Sequence, residues 1–211
     1  MKTTIDYTKH WNTVYQTKED QQLGWYEDCP EATLRLIEKC YLNPNAVILN
    51  VGAGTSTLID SLLDRGFTNI IANDLSQIAL QKLEAHILTK YDYKLNCVVD
   101  DLTKPKALLQ LEHVDLWIDR AVLHFFLSKE EQDAYFNTVR TLVSKGGYVI
   151  IAIFSLESAE KCSGLYLQRY NADMLQAHLG PDFKLLETFD HIYINPSGGE
   201  RPYIYTLFQR K

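Results

Sequence analysis

Two glycines and two carboxylates, each at the end of a short β-rich run, are the residues whose types and spacing best suit holding a ligand. In Asn50-Val51-Gly52-Ala53-Gly54-Thr55-Ser56-Thr57 an apolar run passes through a small-residue turn directly into a helical pattern. Glycine at 52 and 54 lets the backbone bend sharply and come close to a ligand, while the following helix offers unpaired N–H groups. The pair alone also suits a plain strand-to-helix turn, and the third small position is Ser56 rather than glycine. Asp74 lies about 20 residues beyond Gly54, where a carboxylate can accept both hydroxyls of a ribose. Its plainer reading is a helix cap. Asp101, in Val99-Asp100-Asp101-Leu102-Thr103, can accept from the amino group of an adenine. With Ala53, Leu75 and Leu102 beside them, these residues predict a nucleoside site and no metal site.

The elements that position these residues alternate. Pro30 suits a first helical turn, and Leu34, Ile37, Cys40 and Tyr41 repeat at helical spacing after it. Strands are predicted at Ala46–Val51, Asn69–Asn73, Leu95–Val99, Val114–Ile118 and Gly147–Phe154. Helices fall between them at Thr57–Arg65, after Ser76 and at Lys129–Val143. Such alternation predicts a parallel sheet covered by helices. A helix near Asn171–Leu179 then leads to two strands, Phe183–Tyr193 and Tyr203–Gln209. Asn195-Pro196-Ser197-Gly198-Gly199 is too short for a crossover helix, so these two strands should pair antiparallel.

The bulk composition narrows the partners. The chain has 211 residues, 46% of them apolar, which suits one domain over 1–211 with a single sizeable core. Residues 1–45 would form an aromatic lid and helix, and 46–211 the α/β core. Twenty-one Lys and Arg against 27 Asp and Glu give a charge of -6, which disfavours a nucleic acid or an anionic membrane as partner. Cys29, Cys40, Cys97 and Cys162 form no Cys-x-x-Cys pair and read as reduced thiols of a cytoplasmic protein. Met1 to Asp20 is polar, and the longest apolar run, Tyr148 to Phe154, is too short to span a bilayer.

The glycine turn after strand one, followed by an acid after strand two and another after strand three, resembles the class I S-adenosylmethionine-dependent methyltransferases from about Tyr7 to Arg210. Within that class the chain is similar to the thiopurine and tellurite-resistance methyltransferases and to small type 12 methyltransferase domains. The closer resemblance is carried by His10-Trp11 with Tyr15, Gly24-Trp25-Tyr26, the run Asp115 to Phe125, Lys145-Gly146-Gly147, and Cys162-Ser163-Gly164-Leu165 with Arg169-Tyr170. It implies a Rossmann-like, seven-stranded, mostly parallel sheet with helices on both faces and a C-terminal antiparallel hairpin. It also implies S-adenosylmethionine as cofactor and S-adenosylhomocysteine as product. The class usually carries Asp or Glu where this chain has Asn50, which keeps an acceptor oxygen but loses the charge.

Methyl transfer from a sulfonium needs in-line approach, exclusion of water and, for a protonated nucleophile, a route for the proton. The crevice rule for open α/β sheets directs attention to the end of strand four, with Asp119, Arg120 and His124. Asp119 would orient the cofactor's methionine part or the substrate, Arg120 would hold a carboxylate, and His124 would accept a proton near neutral pH. Against these stand an Asp119–Arg120 structural ion pair and a packed histidine. Trp11, Tyr15, Trp25 and Tyr26 suit a lid over the cationic sulfonium, with Tyr15 and Trp25 also reaching substrate, or else an anchor for the N-terminal arm. The insertion Glu157 to Tyr170 would shape the substrate pocket through Arg169 and Tyr170. No Asn-Pro-Pro-Tyr stretch follows strand four, so the amide and base methyltransferases that use it are not matched. The methyl acceptor is a small molecule or, alternatively, a protein lysine. A non-catalytic S-adenosyl nucleotide-binding protein and an NAD-dependent oxidoreductase are the other readings.

Overall fold

Strands rich in Val and Ile, several of them followed by helices, assemble into one seven-stranded sheet. A computed structural model of the chain describes residues 5–211, so the first four residues of the polar N-terminal stretch lie outside the described residues. In chain order the sheet strands are β1 (Ile48–Val51), β2 (Ile70–Asp74), β3 (Asn96–Val99), β4 (Val114–Arg120), β5 (Val143–Phe154), β6 (Phe183–Ile194) and β7 (Glu200–Arg210). Their spatial order is β3-β2-β1-β4-β5-β7-β6. β1 pairs parallel with both β2 and β4, and β7 runs antiparallel to β5 and β6. This is the mostly parallel sheet with a C-terminal hairpin that the alternation and the resemblance predict.

Six α-helices among the described residues accompany it: α1 (Tyr7–Thr17), α2 (Glu31–Glu38), α3 (Leu58–Asp64), α4 (Gln77–Tyr91), α5 (Lys129–Leu142) and α6 (Ala172–Leu179). One apolar layer joins α2, α3 and α4 to Ile48, Ile118 and Ile150. The other joins α5 and α6 to Leu49, Trp117 and Ile151. Alternate side chains of β1, β4 and β5 therefore feed opposite layers, as the two-residue strand period requires. The central strands are buried on both faces, the condition under which a parallel sheet reads as a continuous apolar run.

α1 is an addition to the sequence reading, which expects a polar lead before Pro30. Asp6 caps it, its side chain accepting the Lys9 amide at 2.9 Å. Tyr7, Trp11, Val14 and Tyr15 are spaced i, i+4, i+7 and i+8, a helical stripe diluted by charged and polar neighbours. Trp11, Val14 and Tyr15 pack with Trp25 and Ala79 of α4 in a third apolar cluster. The insertion after β5 is not irregular throughout, because Lys161–Cys162 and Leu165–Tyr166 form a two-stranded hairpin of their own.

Candidate active site

The turn leaving β1 is built for close approach. Gly52 and Gly54 have φ of 57° and 54°, in the left-handed region that glycine occupies without penalty. A Cβ on Gly52 would lie 2.0 Å from Val122 Cγ2, and one on Gly54 2.3 Å from the Tyr15 hydroxyl oxygen. The Ala53 amide donates to Asn73 O at 2.8 Å and ties the turn to β2. Gly54→Ala should therefore weaken S-adenosylhomocysteine binding by at least about tenfold, because a left-handed alanine costs about 1–2 kcal/mol and its methyl displaces Tyr15. Isothermal calorimetry checks this. The double variant with Tyr15→Phe should recover part of the loss, and a single variant binding like wild type would show that the turn tolerates a side chain.

Asp74 ends β2 directly beside this turn. Its Oδ2 accepts the Gly54 amide at 2.8 Å and its Oδ1 the Ser76 amide at 2.7 Å. Each carboxylate oxygen has two lone-pair sites, so one remains on each for a ribose hydroxyl. Burial pushes its carboxyl up to about 6, against the opposing pull of those amide bonds. Asp101 uses Oδ1 for the Thr103 amide and hydroxyl, at 2.8 and 2.7 Å, and Oδ2 has no protein donor among the described residues. Its neighbour Asp100 is consumed by the amides of Asp101, Lys106 and Leu108, which hold the loop after β3.

These groups open onto one cavity of about 120 Å³. Gly52, Asp74, Leu75, Asp101 and Leu102 line its β1–β3 side, and Tyr15, Trp25, Arg120 and His124 line it as well. Trp11 meets Trp25 and Phe125 edge to face at 5.6 and 5.0 Å between centroids, so the N-terminal aromatics close over it. Asn50 and Ala53 instead line a smaller adjoining cavity of about 40 Å³, with Glu27, Thr55 and Arg120. The glycine cradle, the spare lone pairs of Asp74 and Asp101 and the aromatic cover together fit an S-adenosyl nucleotide. Asn50 and the rim of the smaller cavity suit its amino-acid end.

At the end of β4 the structure separates residues that sequence reasoning grouped. Asp119 is fully buried and is not part of the cavity lining. Its carboxylate accepts the Val122 and Leu123 amides at 2.9 and 3.1 Å and the Tyr135 hydroxyl at 2.7 Å. Asp119 thus holds the turn that carries Ala121 at a φ of 69°, and the roles expected for it with cofactor or substrate are corrected to this positioning role. It does not pair with Arg120 either. Arg120 points to the other layer, donating to Trp25 O at 2.8 Å and lying 3.0 Å from the Glu27 carboxylate and 4.9 Å from the Tyr193 ring.

His124 is fully buried against Phe125 and Phe154 and also lines the cavity. Its Nδ1 accepts the Phe154 amide at 3.4 Å, and its Nε2 has no protein partner among the described residues. Burial first, and then the charge of Arg120, pull it down to about 3. It is therefore neutral near pH 7 and a weak proton acceptor there.

The insertion also differs from its expected role. Arg169 donates to the carbonyls of Leu156 and Ser158 at 2.9 and 3.0 Å and pairs with Glu160, so its guanidinium braces the loop from inside and does not line the cavity. Tyr170 is fully buried in the layer with α5 and α6. Neither lines the cavity. Cys162 does line the cavity, and burial raises its thiol, which argues against a thiolate nucleophile. Sequence reasoning missed Asn12, whose side-chain oxygen accepts the Ser76 hydroxyl at 2.7 Å and latches α1 to the start of α4. It also missed Phe154 and Tyr203, which line the cavity from β5 and β7. Asn12 left no local signal, since its partner is distant in sequence.

The chain is similar in sequence and fold to known methyltransferases. The family described as "Methyltransferase domain" matches residues 49–149. "EEF1A lysine methyltransferase 2" of Danio rerio is 26% identical over 157 residues, covering 68% of this chain and 66% of the relative. The chain thus spans just under two thirds of that relative's length. A SAM-dependent methyltransferase from Anabaena variabilis superposes with a TM-score of 0.77 at 14% identity, over 97% of this chain and 93% of that one. The 1,6-didemethyltoxoflavin-N1-methyltransferase of Burkholderia thailandensis, solved with S-adenosylhomocysteine, gives 0.70 at 15% identity over 98% and 86%.

Proposed function

We propose that this chain, which carries a methyltransferase domain on the class I S-adenosylmethionine-dependent methyltransferase fold, transfers the methyl group of S-adenosylmethionine to a small-molecule acceptor. The observation that carries the reading is the single cavity joining the glycine turn, Asp74 and Asp101 to an aromatic end that contains a buried His124. When bound, the cofactor supplies an electrophilic methyl on a sulfonium. Asp74 would receive the ribose hydroxyls, Asp101 the adenine amino group, and Trp25 and Tyr15 would cover the cationic centre and exclude water. Asn50, Glu27 and Arg120 are the polar groups nearest the other end, where Arg120 can meet a carboxylate.

S-adenosylhomocysteine should bind with a low micromolar or tighter dissociation constant, on the order of −8 kcal/mol. Titration calorimetry against NAD decides between this reading and an oxidoreductase: binding of NAD with none of S-adenosylhomocysteine would overturn it. The enclosed aromatic end favours a small acceptor. A protein lysine is the second reading, supported by the name of the Danio rerio relative. Labelled methyl groups appearing on lysines of a cytosolic extract, and not on its low-mass fraction, would establish that second reading. The net charge of -6 disfavours nucleic acid. No helix among the described residues is long and apolar enough to cross a membrane, and four free cysteines suit a reducing, cytoplasmic setting.

A further inference from the structure

The methyl-accepting end of the cavity contains a polar group without a partner. His124 is buried completely, yet Nε2 bonds to nothing among the described residues, an arrangement that costs free energy unless a ligand completes it. The protonation pattern follows from its other nitrogen. Nδ1 faces the backbone amide of Phe154 and must accept, so the proton of the neutral ring sits on Nε2. The carbonyl of His124 accepts the Gln168 amide at 2.8 Å, which fixes the backbone of this residue to the insertion.

No carboxylate among the described residues acts on the imidazole. The charged group acting on the imidazole is Arg120, whose guanidinium is ion-paired with Glu27. Cys162 and Tyr203 line the same cavity, and burial raises both, so each stays protonated. Of the carboxylates, Asp74 and Asp101 keep spare lone pairs, and these are the ones assigned above to the ribose hydroxyls and the adenine amino group. Glu131 accepts the Leu127 and Ser128 amides, both at 3.0 Å, as the cap of α5.

We propose that His124 donates Nε2–H to the methyl acceptor, and that this site selects acceptors arriving with a free lone pair, already deprotonated, on sulfur, oxygen or a ring nitrogen. This rests on the methyltransferase reading above. The acceptor's lone pair forms the new bond to the methyl carbon while the carbon–sulfonium bond breaks and its electron pair stays on sulfur. An anionic acceptor leaves neutral, and no proton has to be placed. The Nε2–H stabilises the anion before transfer and lowers the pKa of a bound thiol or phenol. An alkylammonium meets a donor at Nε2 instead of an acceptor.

The test uses ring-substituted thiophenols and phenols of graded acidity, with N-acetyl-lysine amide as the contrasting probe, and reads S-adenosylhomocysteine formation against pH. The pH midpoint of kcat/KM should move with the acidity of the acceptor. His124→Phe should lower kcat/KM by at least about tenfold with S-adenosylhomocysteine affinity unchanged, and His124→Gln, which keeps an N–H donor, should recover part of the loss. A midpoint fixed at one pH for all acceptors would reveal a protein base and overturn the proposal. So would turnover of the lysine probe alone, or S-adenosylhomocysteine binding with no turnover of any probe. Failure of the protein to bind S-adenosylhomocysteine at all would instead overturn the methyltransferase reading.

Discussion

Asp119→Ala should lower the melting temperature by about 6–12 °C and abolish methyl transfer. The carboxylate accepts three buried donors, the Val122 and Leu123 amides and the Tyr135 hydroxyl, and Tyr135 in turn accepts from the Trp117 indole at 3.1 Å. Deleting the acceptor strands all three. Each unsatisfied buried donor costs about 1–3 kcal/mol, while the relief of burying a charge returns part of that. A net loss near 3 kcal/mol follows, and for a chain of this size each kcal/mol lowers the melting temperature by about 2–4 °C. Activity should fall further than stability, because the same turn sets Val122 against Gly52 and carries Arg120 and His124 to the cavity. Asp119→Asn keeps one acceptor oxygen and should lie between the two. Calorimetric melting and a turnover assay below the lowered transition check this, and an alanine variant with wild-type melting would remove the positioning role.

The distinction between Asp119 and Arg120 indicates what was legible in the sequence and what was not. Strand positions followed from runs such as Ile48–Val51 and from the glycines and carboxylates at their ends, because β-branched runs and left-handed turns are local properties. Direction was not used. Along β4, Trp117 and Asp119 face the α5 layer, whereas Ile118 and Arg120 face the other. The two-residue period of the strand contained that information, but the end-of-strand rule specifies only a location.

The insertion was harder for a different reason. Arg169 finds the carbonyls of Leu156 and Ser158 only because the loop folds back on itself, and no local pattern encodes such a return. Tyr170 is buried between elements distant in sequence. α1 lay between these cases: its stripe of Tyr7, Trp11, Val14 and Tyr15 is present, but polar neighbours such as Lys9, Asn12 and Thr13 mask it.

Asp74→Ala should weaken S-adenosylhomocysteine binding by about 2 kcal/mol or more, roughly 30-fold, since two hydrogen bonds to a charged acceptor disappear. The wild-type protein should show the same dependence through pH. Burial raises the Asp74 carboxyl to about 6, so it is ionised at pH 7 and mostly protonated at pH 5. Ribose hydroxyls donate to the ionised form, so affinity should fall by about tenfold between pH 7 and pH 5. Stability responds with the opposite sign. A carboxyl raised in the folded state binds its proton more readily there than in the unfolded chain, so its contribution to stability grows as pH falls from about 6 toward 4. Glu187, held low chiefly by its hydrogen bond to Lys39 and then by Arg35, works the other way, while Asp119 and Glu27 are raised by burial like Asp74. The difference between wild type and Asp74→Ala isolates it. Across pH 7 to 5 that difference should shrink in binding free energy and shift in favour of wild type in unfolding free energy. Parallel movement of the two quantities would mean that Asp74 is not the group that receives the cofactor.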